Sequence, residues 1–148
     1  MKKIISVSAL CLALGSLLFS CTLETSDNGK LDGFWKLTRV DTLATGGVLD
    51  LRESGIFWAV QMNLMSVQDK YVEDSPEYLF RFEHKDGKLT LSEPHKGVQY
   101  KGDEPIEDVE VLKPYGINQL TETFTVETLN GSSLYLSTDK LRLSFTRF

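Results

Sequence analysis

Few residues of this chain could do chemistry, and their types and spacing narrow the choice. There are two cysteines, Cys11 and Cys21, and two histidines, His84 and His95. A thiolate nucleophile needs a nearby base, and a zinc site needs closely spaced ligands. Neither arrangement occurs, and there is no Gly-x-Ser-x-Gly elbow and no phosphate-binding glycine loop. His84 follows Phe82 with the same parity but stands beside the Lys85-Asp86-Gly87 turn, which favours solvent. His95 follows Pro94 with no evident partner. Asp103, Glu104, Glu107, Asp108 and Glu110 could hold calcium weakly, yet they lack the alternating oxygen spacing of a calcium loop, and a solvated helix face is the simpler reading. We therefore expect no catalytic residue, no metal, no cofactor and no enzyme activity.

Cys21 stands in a more specific context. Lys2 and Lys3 precede an apolar run from Ile4 to Phe19, and a small Ser20 follows. That order is a secretory signal, too short to span a bilayer as a helix of ~20 apolar residues. Leu18-Phe19-Ser20-Cys21 resembles the lipobox of bacterial lipoproteins, although Phe19 is bulkier than usual at its place. The resemblance implies a lipidated Cys21 at the mature N-terminus, carrying palmitate-type acyl chains. It also implies a membrane as partner through that lipid, and a place in the bacterial cell envelope, at the outer membrane in a Gram-negative cell. Each buried methylene contributes about 0.8 kcal/mol, so several chains anchor almost permanently. A disulfide half or a buried thiol is the alternative for Cys21. Its only possible partner, Cys11, lies within the signal, so the mature chain has no disulfide and depends on packing.

The expected organisation is a signal at 1–20, a lipidated flexible tether at 21–30, rich in turn residues (Ser26-Asp27-Asn28-Gly29), and one domain at 31–148. Of the 16 basic residues two fall in the signal, leaving 14 against 21 acidic, a net charge of −7. This acidity argues against nucleic acid as a partner and against electrostatic docking to anionic membranes, and reads as a solvated exterior.

A period of two dominates the domain, the signature of half-buried strands. Trp35 and Leu37 share a face in Gly33 to Thr42. Ile56, Trp58, Val60, Met62 and Leu64 share one in Ile56 to Ser66, and Tyr78, Phe80 and Phe82 share another. Asp86-Gly87 predicts a hairpin into Leu89 and Leu91. Val98 and Tyr100, Phe124 and Val126, Leu134 and Leu136, and Leu141, Leu143 and Phe145 continue the pattern. Asp103 to Pro114 departs from it, with Ile106, Val109 and Leu112 spaced by three. There Asp103 is the expected cap, Pro105 suits a first turn, and Pro114 with Gly116 stops the helix. Eight or nine short strands joined by tight turns run antiparallel, and burying one face of each while removing edges favours closure. The expected fold is all-β: an antiparallel up-and-down β-barrel of about eight strands, with one short helix before the last three.

Gly33-Phe34-Trp35 has the Gly-x-Trp form that opens lipocalin-type barrels. Together with the strand Leu141 to Phe148, and with Pro114-Tyr115-Gly116-Ile117 followed by Phe124 to Asn130, it resembles the small lipocalin-like domain of bacterial lipoproteins, a calycin-type barrel. The resemblance covers about Leu31 to Phe148 and implies that Arg147 packs over Trp35 at the closed end. A cation over an indole contributes roughly 0.5–2 kcal/mol. The short chain and missing disulfide are departures from typical lipocalins that argue against a roomy cavity.

The inward aromatic list is the remaining candidate site. Trp58, Val60, Met62, Tyr78, Phe80, Phe82 and Phe124 are the candidate ligand-binding residues, with at most a modest pocket near Trp58, Tyr78 and Phe80 and the Ile106 to Leu112 helix as a lid. Small barrels are filled by side chains or hold one small ligand. The expected function is an anchored module binding a small hydrophobic molecule. The alternative is a filled barrel mediating protein or glycan interactions, with Ala44 to Gly55 and Pro94 to Asp103 as contact loops. No protein partner is named by the sequence.

Overall fold

A computed structural model describes residues 27–97 and 102–148. Among these the chain forms β1 (Gly33–Thr42), β2 (Gly47–Asp50), β3 (Ile56–Gln61), β4 (Leu64–Asp69), β5 (Tyr78–Lys85), β6 (Lys88–Lys96), β7 (Glu104–Pro105), β8 (Glu122–Leu129), β9 (Ser133–Ser137) and β10 (Leu141–Arg147). Two 3-10 helices, Gly29–Leu31 and Val109–Tyr115, accompany them. Cys21, the expected signal and the strand expected at Val98 and Tyr100 lie outside the described residues.

Eight strands close a ring: β1, β3, β4, β5, β6, β8, β9, β10 and back to β1, each pair antiparallel. The order is an up-and-down meander, because each strand pairs with its neighbour around the ring. β1 is the long member. Its first half pairs with β3, its second half with β2, and its other edge with β10 throughout. A bulge between Leu37 and Arg39 re-aims the strand between the two partners.

Alternation places Trp35, Leu37, Trp58, Val60, Phe80, Leu89, Leu91, Phe124, Leu134, Leu136, Leu143 and Phe145 inside. Fully burying one such side chain contributes about 1.5–3 kcal/mol, so this list is the main source of stability. Both ends are stoppered. Leu31 closes one, accepting the Trp35 indole N–H at 2.8 Å on its carbonyl. Leu112, Tyr115 and Ile117 fill the other, and the Trp58 indole N–H reaches the Tyr115 carbonyl at 3.1 Å. Gly116 permits this plug. Its φ of +85° is left-handed, and a Cβ there would meet Leu143 at 2.8 Å.

Four expectations need correction. Ile56 to Ser66 is not one strand: Met62 and Asn63 form a two-residue turn between β3 and β4, with Met62 at a φ of +55°. The turn reverses the parity, so Met62 and Leu64 are exposed while Met65 and Val67 are buried. The helix of Asp103 to Pro114 is shorter and starts later. Glu104 and Pro105 pair with the edge of β6, where proline's missing N–H is tolerated. The Asp108 carboxylate, not that of Asp103, caps the helix by accepting the Glu110 N–H at 3.0 Å, and Pro114 lies inside it. Ala44 to Gly55 contains β2 rather than being all loop, and Pro94 to Lys96 belong to β6. Finally, the chain is fixed earlier than Leu31: Arg147 donates to the carbonyls of Lys30 and Asp32, and the Asn28 amide donates to the Met62 carbonyl.

Candidate functional site

The interior holds most of the residues expected to line a ligand site. Trp58 meets Phe124 and Phe145 edge to face, with ring centres 5.8 and 4.9 Å apart. Tyr78 meets Tyr115 in the same way at 5.7 Å. A cavity able to hold one water would leave surface exposed on its walls. Trp35, Leu37, Trp58, Met65, Val67, Leu89, Leu91, Phe124, Leu136, Leu143 and Phe145 expose none. Val60, Tyr78 and Phe80 are buried as well, and Phe82 is half-buried against the core. Met62 stands apart on its turn. The structure therefore brings Trp58, Val60, Tyr78, Phe80 and Phe124 together as packed core, leaving no room for a ligand at Trp58 or Phe124.

Concavity appears instead on the outside. An open groove of about 800 Å³ lies over the outer face of β1, β2, β9 and β10. Strand register explains its lining. Asp50, Arg39, Ser144 and Tyr135 form one row across β2, β1, β10 and β9, and Val48, Asp41, Arg142 and Ser137 form the next. The bulge after Leu37 adds Thr38, whose hydroxyl donates to the Ser144 carbonyl at 3.0 Å.

Charges in this groove are paired. Arg39 makes a forked contact to Asp41, Arg52 makes one to Asp50, and Arg142 holds Glu127 at 2.9 Å while its guanidinium lies 5.3 Å from the centre of the Tyr135 ring. The Arg39 hydrogen bond keeps the Asp41 carboxyl below its ordinary value, and Arg52 holds Asp50 down at about 2. The groove wall carries three arginines and two aspartates, with the third arginine, Arg142, neutralised by Glu127 beside the groove, and the rest of the lining includes hydroxyls, Leu43, Val48 and one aromatic ring.

A different carboxylate is buried. Glu122 points inward at the start of β8 and is only 5% exposed. Burial raises its pKa, opposed by hydrogen bonds from the Gln119 and Asn118 backbone, and Oε2 has no hydrogen-bond partner. His84 is exposed, and His95 sits on β6 with Nδ1 against the Glu93 carbonyl. Among the described residues no three His, Cys, Asp or Glu side chains are grouped to hold a metal ion.

The family comparison decides what this barrel is. The family described as "Lipocalin-like domain" (Lipocalin_8) matches residues 16–148. The chain belongs to that family. The lipocalin-like domain is also similar to a solved lipocalin-like protein from Bacteroides uniformis, with a TM-score of 0.62 at 20% identity, covering 81% of this chain and all of that one. An uncharacterized protein from Bacteroides eggerthii gives a TM-score of 0.55 at 16% identity, covering 79% of this chain and 98% of that one. A protein from Burkholderia xenovorans gives 0.50 at 16% identity, over 79% and 82%. These likenesses show the fold. No curated protein matches the chain.

Sequence reasoning missed the groove. Its members are outward polar residues, which periodicity treats as solvent-facing, and only the strand register reveals that they form rows. Glu122 was missed too, because parity with Phe124 marks it as inward but a lone glutamate carries no other signal.

Proposed function

We propose that this lipocalin-like domain is the folded part of an envelope lipoprotein, not an enzyme, that binds on its outer face a neutral, polyhydroxylated ligand of the glycan class. The observation that carries the reading is the filled interior. A small hydrophobic molecule inside the barrel would have to displace Trp58, Phe124 and Phe145 from one another and break the close packing they now share. The packing thus supports the filled-barrel reading over an internal apolar ligand. The groove supports a glycan because its charge is balanced and its surface combines hydroxyls, forked Arg–Asp pairs and the face of Tyr135. An anchor on Cys21 rests on the sequence before it, Leu18-Phe19-Ser20, and places the domain at the cell envelope, on the outer membrane of a Gram-negative cell.

Titration calorimetry of the purified protein against neutral oligosaccharides tests the binding reading. Tyr135→Ala combined with Arg142→Ala should abolish heat of binding without moving the melting temperature by more than a few degrees. Reproducible recovery of a bound fatty acid in solvent extracts, with no sugar bound by the parent protein, would overturn it. Cys21→Ala should release the protein from the membrane fraction.

A further inference from the structure

The end of the barrel where the chain enters carries large apolar side chains on its outside. Phe34 is 52% exposed, Met62 58%, Leu64 43% and Phe148 82%. Register makes them neighbours. Phe34 pairs with Ala59 on β3, Gln61 pairs with Leu64 across the Met62-Asn63 turn, and Phe148 donates its N–H to the Phe34 carbonyl. The Phe148 ring meets Phe57 edge to face at 5.1 Å, so the patch continues over a covered aromatic. Lys85 and Lys88 flank the β5–β6 turn at the same end.

We propose that this patch docks on the phospholipid surface beside the acyl anchor, so that the Trp35 end faces the membrane and the outer groove, on the barrel wall, stays open to solvent. The proposal rests on the Cys21 anchor. Six residue steps separate Cys21 from Asp27, a reach of about 20 Å at full extension. Asn28 is bonded to the Met62 carbonyl, so that reach starts from within the patch. β1 has ten residues and, tilted as barrel strands are, carries the other end about 25 Å away. Leu43, Val48 and Leu49 are exposed at that far end as well, but the tether is too short to bring them down to the surface. The net negative charge makes apolar insertion, rather than attraction to anionic lipid, the holding force.

Cys21 is the single cysteine after the signal, so an added cysteine is a unique free thiol once Cys21 is acylated. The test places a bimane on Met62→Cys, Leu64→Cys or Val48→Cys of the acylated protein in vesicles of phosphatidylethanolamine and phosphatidylglycerol containing nitroxide lipids. Labels at 62 and 64 should be quenched roughly twofold or more, since interfacial side chains settle about 5–10 Å into the headgroup boundary, and the label at 48 should not. Equal or absent quenching at both ends, on protein whose intact mass shows the acyl chains, overturns the docking and leaves the anchor standing. An intact mass without acyl chains overturns both.

Discussion

The Arg147 guanidinium lies 4.5 Å from the centre of the Trp35 ring, with the two residues facing each other across the seam between β10 and β1. The same guanidinium donates to the carbonyls of Lys30 and Asp32, so one side chain ties the incoming chain, the first strand and the last described strand together. Gly33 makes room for it. Its φ is +125°, and a Cβ there would come within 2.6 Å of an Arg147 nitrogen.

Arg147→Ala should therefore lower stability by about 1–3 kcal/mol, combining the cation–π contact with two charge-assisted hydrogen bonds. Urea unfolding followed by tryptophan fluorescence reads it. A change near zero would mean the contact is decorative.

Gly33→Ala should cost more than an ordinary Gly→Ala change in a strand. In the Arg147→Ala background the penalty should shrink, because the clash is gone. It should not vanish, because the positive φ remains. A double-mutant cycle separates the two parts.

Trp58→Ala should cost about 3–5 kcal/mol and open a cavity bordered by Phe124 and Phe145. The variant, unlike the parent, should take up small apolar probes such as benzene. Uptake by the parent protein would contradict a filled interior.

Glu122 sets a pH dependence of definite sign. Its folded pKa is raised above its ordinary value of 4.5, chiefly by burial. The protonated form is therefore favoured in the fold, and stability present below that value should decline as pH rises through the raised pKa. Glu122→Gln should remove this decline and raise the urea midpoint at neutral pH. Asp50 acts in the opposite direction. Its pKa of about 2 means that its contact with Arg52 persists until the pH falls well below 3.8.

Much of the barrel was legible because its strands alternate cleanly. Trp35 with Leu37, Phe80 with Tyr78, and Leu143 with Phe145 each show the period of two that the core requires. The Asp86-Gly87 turn was readable because glycine supplies a positive φ. Met62-Asn63 does the same work without a glycine, so the run through Ser66 looked continuous and one strand's parity came out reversed. The segment at Glu104-Pro105 has a helix-like spacing, but pairing with β6 overrides it. The outer groove had no signature at all, since rows across four strands exist only once the register is set.

The seam between β1 and β10 joins residues more than a hundred positions apart, Trp35 with Arg147. Such distant pairing is slow to form, because the loop entropy is lost before the contact is gained. Until β10 emerges, β1 and β9 each present an unprotected edge ready to recruit another chain. A nascent copy of this domain is therefore sticky until β10 has been made, which predicts rapid clumping of any variant truncated before Leu141.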